Sequence, residues 1–131
     1  MNLDEVMTLS DDELRVKAAE LAGWEYVEIR DGKLTGTSSD LDDAANWMHI
    51  VVPDYPNDIV AAMGLAEEIA HRYWLSLHTP FLAGEPYYAG FTPLGTTGWN
   101  GVPDNKCPGD KPGQAITRAF ILTMTTENEE V

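Results

Sequence analysis

The dipeptide Asp31-Gly32 separates two runs of strand-forming residues, and it constrains the fold more than any other feature. Trp24 to Arg30 alternates and is rich in aromatic and β-branched residues, and Lys33 to Thr37 follows the dipeptide. Asp-Gly between such runs predicts a two-residue hairpin, because glycine tolerates the positive φ that a tight primed turn requires. We therefore expect an antiparallel sheet.

The first helix is predicted from a capping box. Ser10 and Glu13 are three residues apart, so each side chain can accept a hydrogen bond from the other residue's backbone amide. Apolar residues then recur at helical spacing as far as Gly23, which suits the left-handed position after a helix. The helix is expected over Asp11 to Ala22.

Two further helices are predicted from capping residues and apolar spacing. The second is expected from Asn57 to about Arg72, with Asn57 or Asp58 as its cap. Gly64 costs about 1 kcal/mol relative to alanine in a helix, so we expect it to permit close packing on a strand. The third is expected to begin at residues 112–114, and the acidic tail 125–131 is expected to fray.

The remaining pattern predicts short strands at His49 to Val52, Trp74 to Thr79 and Tyr87 to Thr92, with Trp74 and Tyr88 facing the helices. The element order is α-β-β-α-β-β-α. The fold class is α/β of the α+β type, with helices packed on a small antiparallel sheet. The chain length predicts a single domain over residues 1–131, with its ordered core at about 9–125.

The charge balance excludes several classes of partner. Eight Lys and Arg against 22 Asp and Glu give a net charge of −14. Phosphate backbones and anionic membranes are bound through cations, so neither general nucleic-acid binding nor membrane binding is expected. Most carboxylates are expected to form a solvated surface. An acidic surface that binds a basic partner, as a mimic of nucleic acid, is the alternative.

Recognisable catalytic machinery is not found in the sequence. His49, His71 and His78 lack the spacing of metal ligands, so no metal or cofactor is expected. Cys107 has no neighbouring histidine or cysteine and is not expected to act as a nucleophile. A single cysteine cannot form an internal disulfide, which suits a reducing cytoplasm. A hydrolase that uses two converging carboxylates remains open, since the sequence cannot identify the pair.

Candidate ligand-binding residues lie in and around the segment from Pro93 to Pro112, which is rich in glycine and proline and is expected to form a long functional loop. Aromatic residues are dense before and within it. Most are expected in the core, but Phe91 and Trp99 are candidates for stacking on a planar ligand such as a nucleobase.

Arg118 is a notable cation because the chain has few of them. One interpretation is a salt bridge to one of the many carboxylates. The other is an anion pocket, in which Arg118, Lys111 and the first amides of the last helix hold a phosphate. Asn100 and Thr117 would add polar contacts. The sequence does not decide between the two.

Three short segments resemble the phage ABA sandwich domain family. They are Leu14 to Ala19 ahead of Gly23-Trp24, Pro56 to Met63, and Pro112 to Ala119. The resemblance spans roughly residues 9 to 125, and the long 93–112 loop departs from the family pattern. It implies a bacteriophage accessory protein with helices on a small antiparallel sheet and carries no settled activity. In size and element order the chain is also similar to phage sponges of nucleotide-derived immune signals, such as the Thoeris anti-defence proteins, an analogy at the level of the fold.

These features lead to one expected function and two alternatives. The first is a non-enzymatic phage protein in the host cytoplasm that sequesters a small nucleotide-like immune signal and thereby counters defence. The second is an acidic inhibitor that binds a host protein. The third is the small hydrolase. A homo-oligomer would be compatible with the first, because small binding proteins often complete pockets across a symmetric interface.

Overall fold

The computed structural model describes residues 1–37, 50–80, 82–95 and 106–129. Within these ranges the chain forms four helices and six strands. The helices are α1 (Leu3–Met7), α2 (Asp11–Leu21), α3 (Ile59–Glu68) and α4 (Pro112–Glu129). The strands are β1 (Glu25–Arg30), β2 (Lys33–Thr37), β3 (Ile50–Val51), β4 (Tyr73–His78), β5 (Tyr87–Pro93) and β6 (Cys107–Gly109). The mixed α+β class is confirmed.

Helix α4 is the centre of the fold. It contacts α1, α2, α3, β5 and β6, and residues 115–117 and 119–123 are all buried. A helix that is covered on several sides must be apolar on several sides. Two glycines allow the closest approaches. A Cβ atom on Gly109 would lie 2.5 Å from the Ala115 nitrogen, and one on Gly113 would lie 2.8 Å from the Tyr55 carbonyl oxygen.

The strands form two antiparallel sheets rather than the single sheet expected. The first has the order β1-β2-β3 and the second β4-β5-β6. The predicted hairpin joins β1 to β2, and its turn residues Asp31 and Gly32 have φ angles of 53° and 77°. Both angles lie in the region that a tight primed turn requires.

The predicted first helix is confirmed together with its capping box. The Glu13 amide donates to Ser10 Oγ at 3.2 Å, and the Ser10 amide donates to Glu13 Oε1 at 3.0 Å. The second helix is shorter than predicted. Asp58 caps the helix by accepting a hydrogen bond from the Val60 amide at 3.0 Å. The helix ends at Glu68, and turns connect it to β4.

Three elements correct the expectations. α1 was not predicted, and its buried Val6 places the core before residue 9. β6 lies inside the segment expected to be a loop and pairs with Tyr87 to Ala89. α4 continues through the expected frayed tail as far as Glu129, because Glu127 is held by the α3–β4 corner: it pairs with Arg72 and accepts from Tyr73 Oη at 2.9 Å.

The prediction that Trp74 and Tyr88 face the helices is wrong. Ala89 and Phe91 are buried, and Leu75 packs against the core. Side chains alternate between the faces of a strand, so Trp74 and Tyr88 belong to the opposite face, and Trp74 is 53% exposed.

Gly64 does not have the close contact that was predicted for it. A Cβ atom at this position would meet none of the described atoms within 4 Å. The expected loop from Ser38 to Trp47 lies outside the described residues. Within the described ranges, no helix combines the length and the apolarity needed to cross a membrane.

Candidate functional site

The start of α4, one of whose two interpretations is an anion pocket, is built from a polar network between three chain segments. Lys111 Nζ donates to Asn57 Oδ1 and lies 4.0 Å from Asp11 Oδ2. Gln114 Nε2 donates to Asp11 Oδ1 at 2.8 Å, and Gln114 Oε1 accepts from the Asp110 amide at 2.8 Å. These contacts attach the start of α4 to the start of α2 and to the turn before α3.

The charges in this network are unfavourable for an anion. Lys111 is the cation of the group, and the carboxylate of Asp11 lies beside it. Asn57 in turn donates to both carboxylate oxygens of Asp54, at 3.1 and 3.2 Å. A phosphate here would have to compete with these carboxylates for the same donors. The network therefore serves to hold the start of α4 against the start of α2 and the turn before α3.

Arg118 is turned towards β6. Its Nη1 donates to the Pro108 carbonyl oxygen at 2.8 Å. Its Nε is buried and has no hydrogen-bond partner among the described atoms. Arg118 forms no salt bridge with any described carboxylate, so that interpretation is wrong for the described residues. Its guanidinium group binds a backbone carbonyl oxygen instead.

Cys107, on β6, lies beside Arg118 of α4 and is fully buried. Burial raises the pKa of the thiol to about 11 from its ordinary 9.0, and the nearby charge of Arg118 opposes only part of that rise. A buried thiol that stays protonated is a poor nucleophile and a poor metal ligand. The described residues also contain no group of three or more His, Cys, Asp or Glu side chains able to hold a metal ion.

Two other predicted ligand-binding residues are used in packing. Phe91 is 2% exposed and belongs to the core, so no face of its ring is open to a ligand. Thr117 is fully buried, and its hydroxyl donates to the Gly113 carbonyl oxygen within α4 at 2.7 Å. Trp99 and Asn100 lie outside the described residues. Lys111, Thr117 and Arg118 are therefore close in sequence but turned to different surroundings.

A surface groove that the sequence did not predict lies between the N-terminal segment and α2. It has a volume of about 360 Å³ and is lined by apolar and charged residues. We call its apolar lining residues, Met1, Leu9 and Val16, the floor of the groove, and its charged lining residues, Asp12, Glu13, Lys17 and Glu20, the rim.

The groove follows from how α1 and α2 fold. The buried residues of α2, Leu14 and Ala18 among them, face the core, so Val16 lies on the other side of the helix. α1 begins at its own capping box, in which Asn2 and Glu5 bond reciprocally to backbone amides at 2.9 and 3.2 Å. The Asn2–Glu5 spacing is the sequence signal for α1, which lies between the two groove residues Met1 and Leu9.

No protein-family model, no curated protein and no solved structure matches this chain.

Proposed function

We propose that this protein is a non-enzymatic binding protein that captures a basic segment of another protein in the groove between its N-terminal segment and α2. The observation that carries the proposal is the composition of that groove. Three apolar side chains form its floor, and three of the four charged residues at its rim are acidic.

Such a groove favours a segment that carries both apolar and basic side chains. Burial of apolar surface contributes about 25 cal/mol per Å². Lysine and arginine can lay their aliphatic stems on the same floor while their charged ends reach Asp12 and Glu20. The net charge of −14 adds a long-range attraction that raises the association rate at low salt.

The same charges argue against other occupants of the groove. A second copy of this chain would bring another 14 negative charges towards it, and nucleic acid would bring its phosphates. Combined with the resemblance to phage accessory proteins, this makes a host protein with a basic surface the partner class that we propose.

The test is a titration of a fluorescent twelve-residue amphipathic peptide of leucine and lysine, followed by anisotropy. We expect Val16→Asp to weaken binding at least tenfold, because it places a charge on the apolar floor. Val60→Asp is the matched control. Val60 is 78% exposed on α3, so the same charge change there should alter affinity less than twofold.

Two outcomes would contradict the proposal. Equal weakening by both variants would mean that the peptide responds to net charge alone. Equal binding of a peptide with glutamate in place of lysine would remove the role of the acidic rim. Retention of the far-ultraviolet circular dichroism spectrum controls for the folding of each variant.

Sequestration of a small nucleotide-like ligand is the second candidate, and one observation favours it. Arg118 is one of eight Lys and Arg residues in the chain, and its buried Nε has no hydrogen-bond partner among the described atoms. Isothermal titration against cyclic nucleotides and ADP-ribose derivatives tests it. Binding that Arg118→Ala removes and Arg30→Ala keeps would support this function, and no heat across the series would reject it.

A further inference from the structure

The edge strand β1 contains a bulge that places tyrosine in an unfavourable backbone conformation. Glu25 is opposite Thr37 and Glu28 is opposite Thr35, so Tyr26 and Val27 together stand opposite Gly36. Tyr26 has a φ of 55°. In bulges that need a left-handed residue this position is ordinarily glycine, and a bulky L-residue there is strained.

Packing does not compensate for this strain. The Tyr26 side chain is 74% exposed. Its neighbour Val27 packs against the core instead. Val27 has room because Gly36 lacks a Cβ, which would lie 3.3 Å from Val27 Cγ2. The bulge therefore turns Val27 inward and leaves Tyr26 outward.

The surface around Tyr26 is apolar and acidic, and β1 is an edge strand of the sheet that the described residues form. Ile29, on the same strand, is also 74% exposed. Glu25 is exposed, while Glu28 is partly neutralised by an ion pair with Arg30. β2 pairs with one side of β1, and no described strand pairs with the other. The unpaired backbone N–H and C=O groups of an edge strand can bind an added strand through main-chain hydrogen bonds.

We propose that the open edge of β1 docks an extended basic segment of a partner protein, with Tyr26 as the anchoring side chain. Exposed aromatic residues are common anchors in protein interfaces. A backbone strain that no contact among the described residues offsets is typical of functional positions. A second copy of this chain would bring another 14 negative charges towards the edge, so a basic partner fits better. This surface is separate from the α2 groove and does not depend on it.

The probe is an eight-residue peptide of alternating lysine and valine, titrated at 150 mM salt, with hydrogen exchange of the β1 amides as a second readout. We expect slower exchange in β1 when the peptide is bound. A peptide of the same charge with N-methyl groups on alternate residues should bind at least tenfold more weakly, because it cannot complete the ladder.

Three variants distinguish the contribution of the Tyr26 side chain to peptide affinity from that of the overall negative charge. Tyr26→Gly should weaken binding at least fivefold while keeping or raising Tm, since glycine relieves the left-handed position. Glu25→Lys should weaken binding at least threefold. Glu67→Lys makes the same charge change at an exposed site on α3 and should alter affinity less than twofold.

Each contrary result overturns the proposal. Equal binding of the N-methylated peptide would exclude strand addition. Full binding by Tyr26→Gly would exclude the anchor, and a lower Tm for that variant would show that Tyr26 serves the fold. Val16→Asp should leave binding of this peptide unchanged, so the groove and the edge can fail independently.

Discussion

The two sheets have the same number of strands and the same strand order, yet they differ in what covers them. In the second sheet, α4 packs against β5 and β6, and Phe91 is buried. In the first sheet, the buried positions of β2 are Thr35, Gly36 and Thr37, and β1 leaves Tyr26 and Ile29 74% exposed. The second sheet thus contributes more buried side chains to the core, and the first leaves more of its apolar surface exposed.

The largest expected effect is on the free energy of unfolding, and it compares one residue from each sheet. Phe91→Ala removes a buried aromatic ring and should lower the free energy of unfolding by about 3–5 kcal/mol. Ile29→Ala, on the exposed strand, should change it by less than about 0.5 kcal/mol. Urea denaturation followed by circular dichroism measures both. Comparable losses for the two variants would show that the sheets contribute equally.

The next effect concerns pH and the second sheet alone. Burial raises the pKa of the Cys107 thiol to about 11, so above pH 9 the unfolded chain releases a proton that the folded chain keeps. The folded state should therefore lose stability as the pH rises from 9 through 11, by about 2–3 kcal/mol in total.

Cys107→Ala is the control for this pH dependence, since tyrosine and lysine titrate in the same range. Urea unfolding at pH 8, 9, 10 and 11 should show a steeper decline for the wild type than for the variant. Parallel declines would mean that the thiol reaches water without unfolding of the second sheet.

The smallest effect concerns the turn of the first sheet. Gly32 has a φ of 77°, so Gly32→Ala should cost about 1–2 kcal/mol. Gly64→Ala is the control of opposite sign. A Cβ atom at this position meets no described atom within 4 Å, so the variant should raise the free energy of unfolding by about 0.5–1 kcal/mol. Thermal unfolding measures both signs. An unaffected Tm for Gly32→Ala would show that the hairpin does not depend on its turn.

Features controlled by neighbouring residues were predictable from the sequence. The Ser10–Glu13 capping box and the Asp31-Gly32 turn each act within a few residues, and both are confirmed. The Asn2–Glu5 box is equally local, but the helix that it starts has only five residues, too few for a periodic apolar pattern.

Features controlled by distant contacts were not predictable. Pro108 and Gly109 disfavour a strand, but pairing with β5 places them in one, and proline is tolerated there because β6 is an edge. The last turns of α4 are held by Arg72 and Tyr73, 55 and 54 residues away from Glu127. The orientation of Trp74 depends on which face of the sheet meets the helices, and alternation alone does not decide that.

The candidate site shows the same limit. Lys111 and Arg118 could be singled out because cations are scarce. Their partners, Asn57 and the Pro108 carbonyl oxygen, depend on the tertiary fold. The groove depends on how Met1 and Leu9 lie against α2. The bulge of β1 could not be predicted, because Tyr26 stands at its left-handed position and glycine is the usual sequence signal of such a position.

The position of α4 also determines when this protein can fold. α4 follows every element that it packs against, and Gln114 reaches Asp11 across 103 residues. During synthesis the apolar faces of α2, α3 and β5 therefore remain without their main partner until α4 has left the ribosome. Nascent chains that expose such surface are prone to aggregate. The fold should thus be completed in one late step, and a ribosome that stalls within α4 should hold a chain that chaperones and proteases recognise.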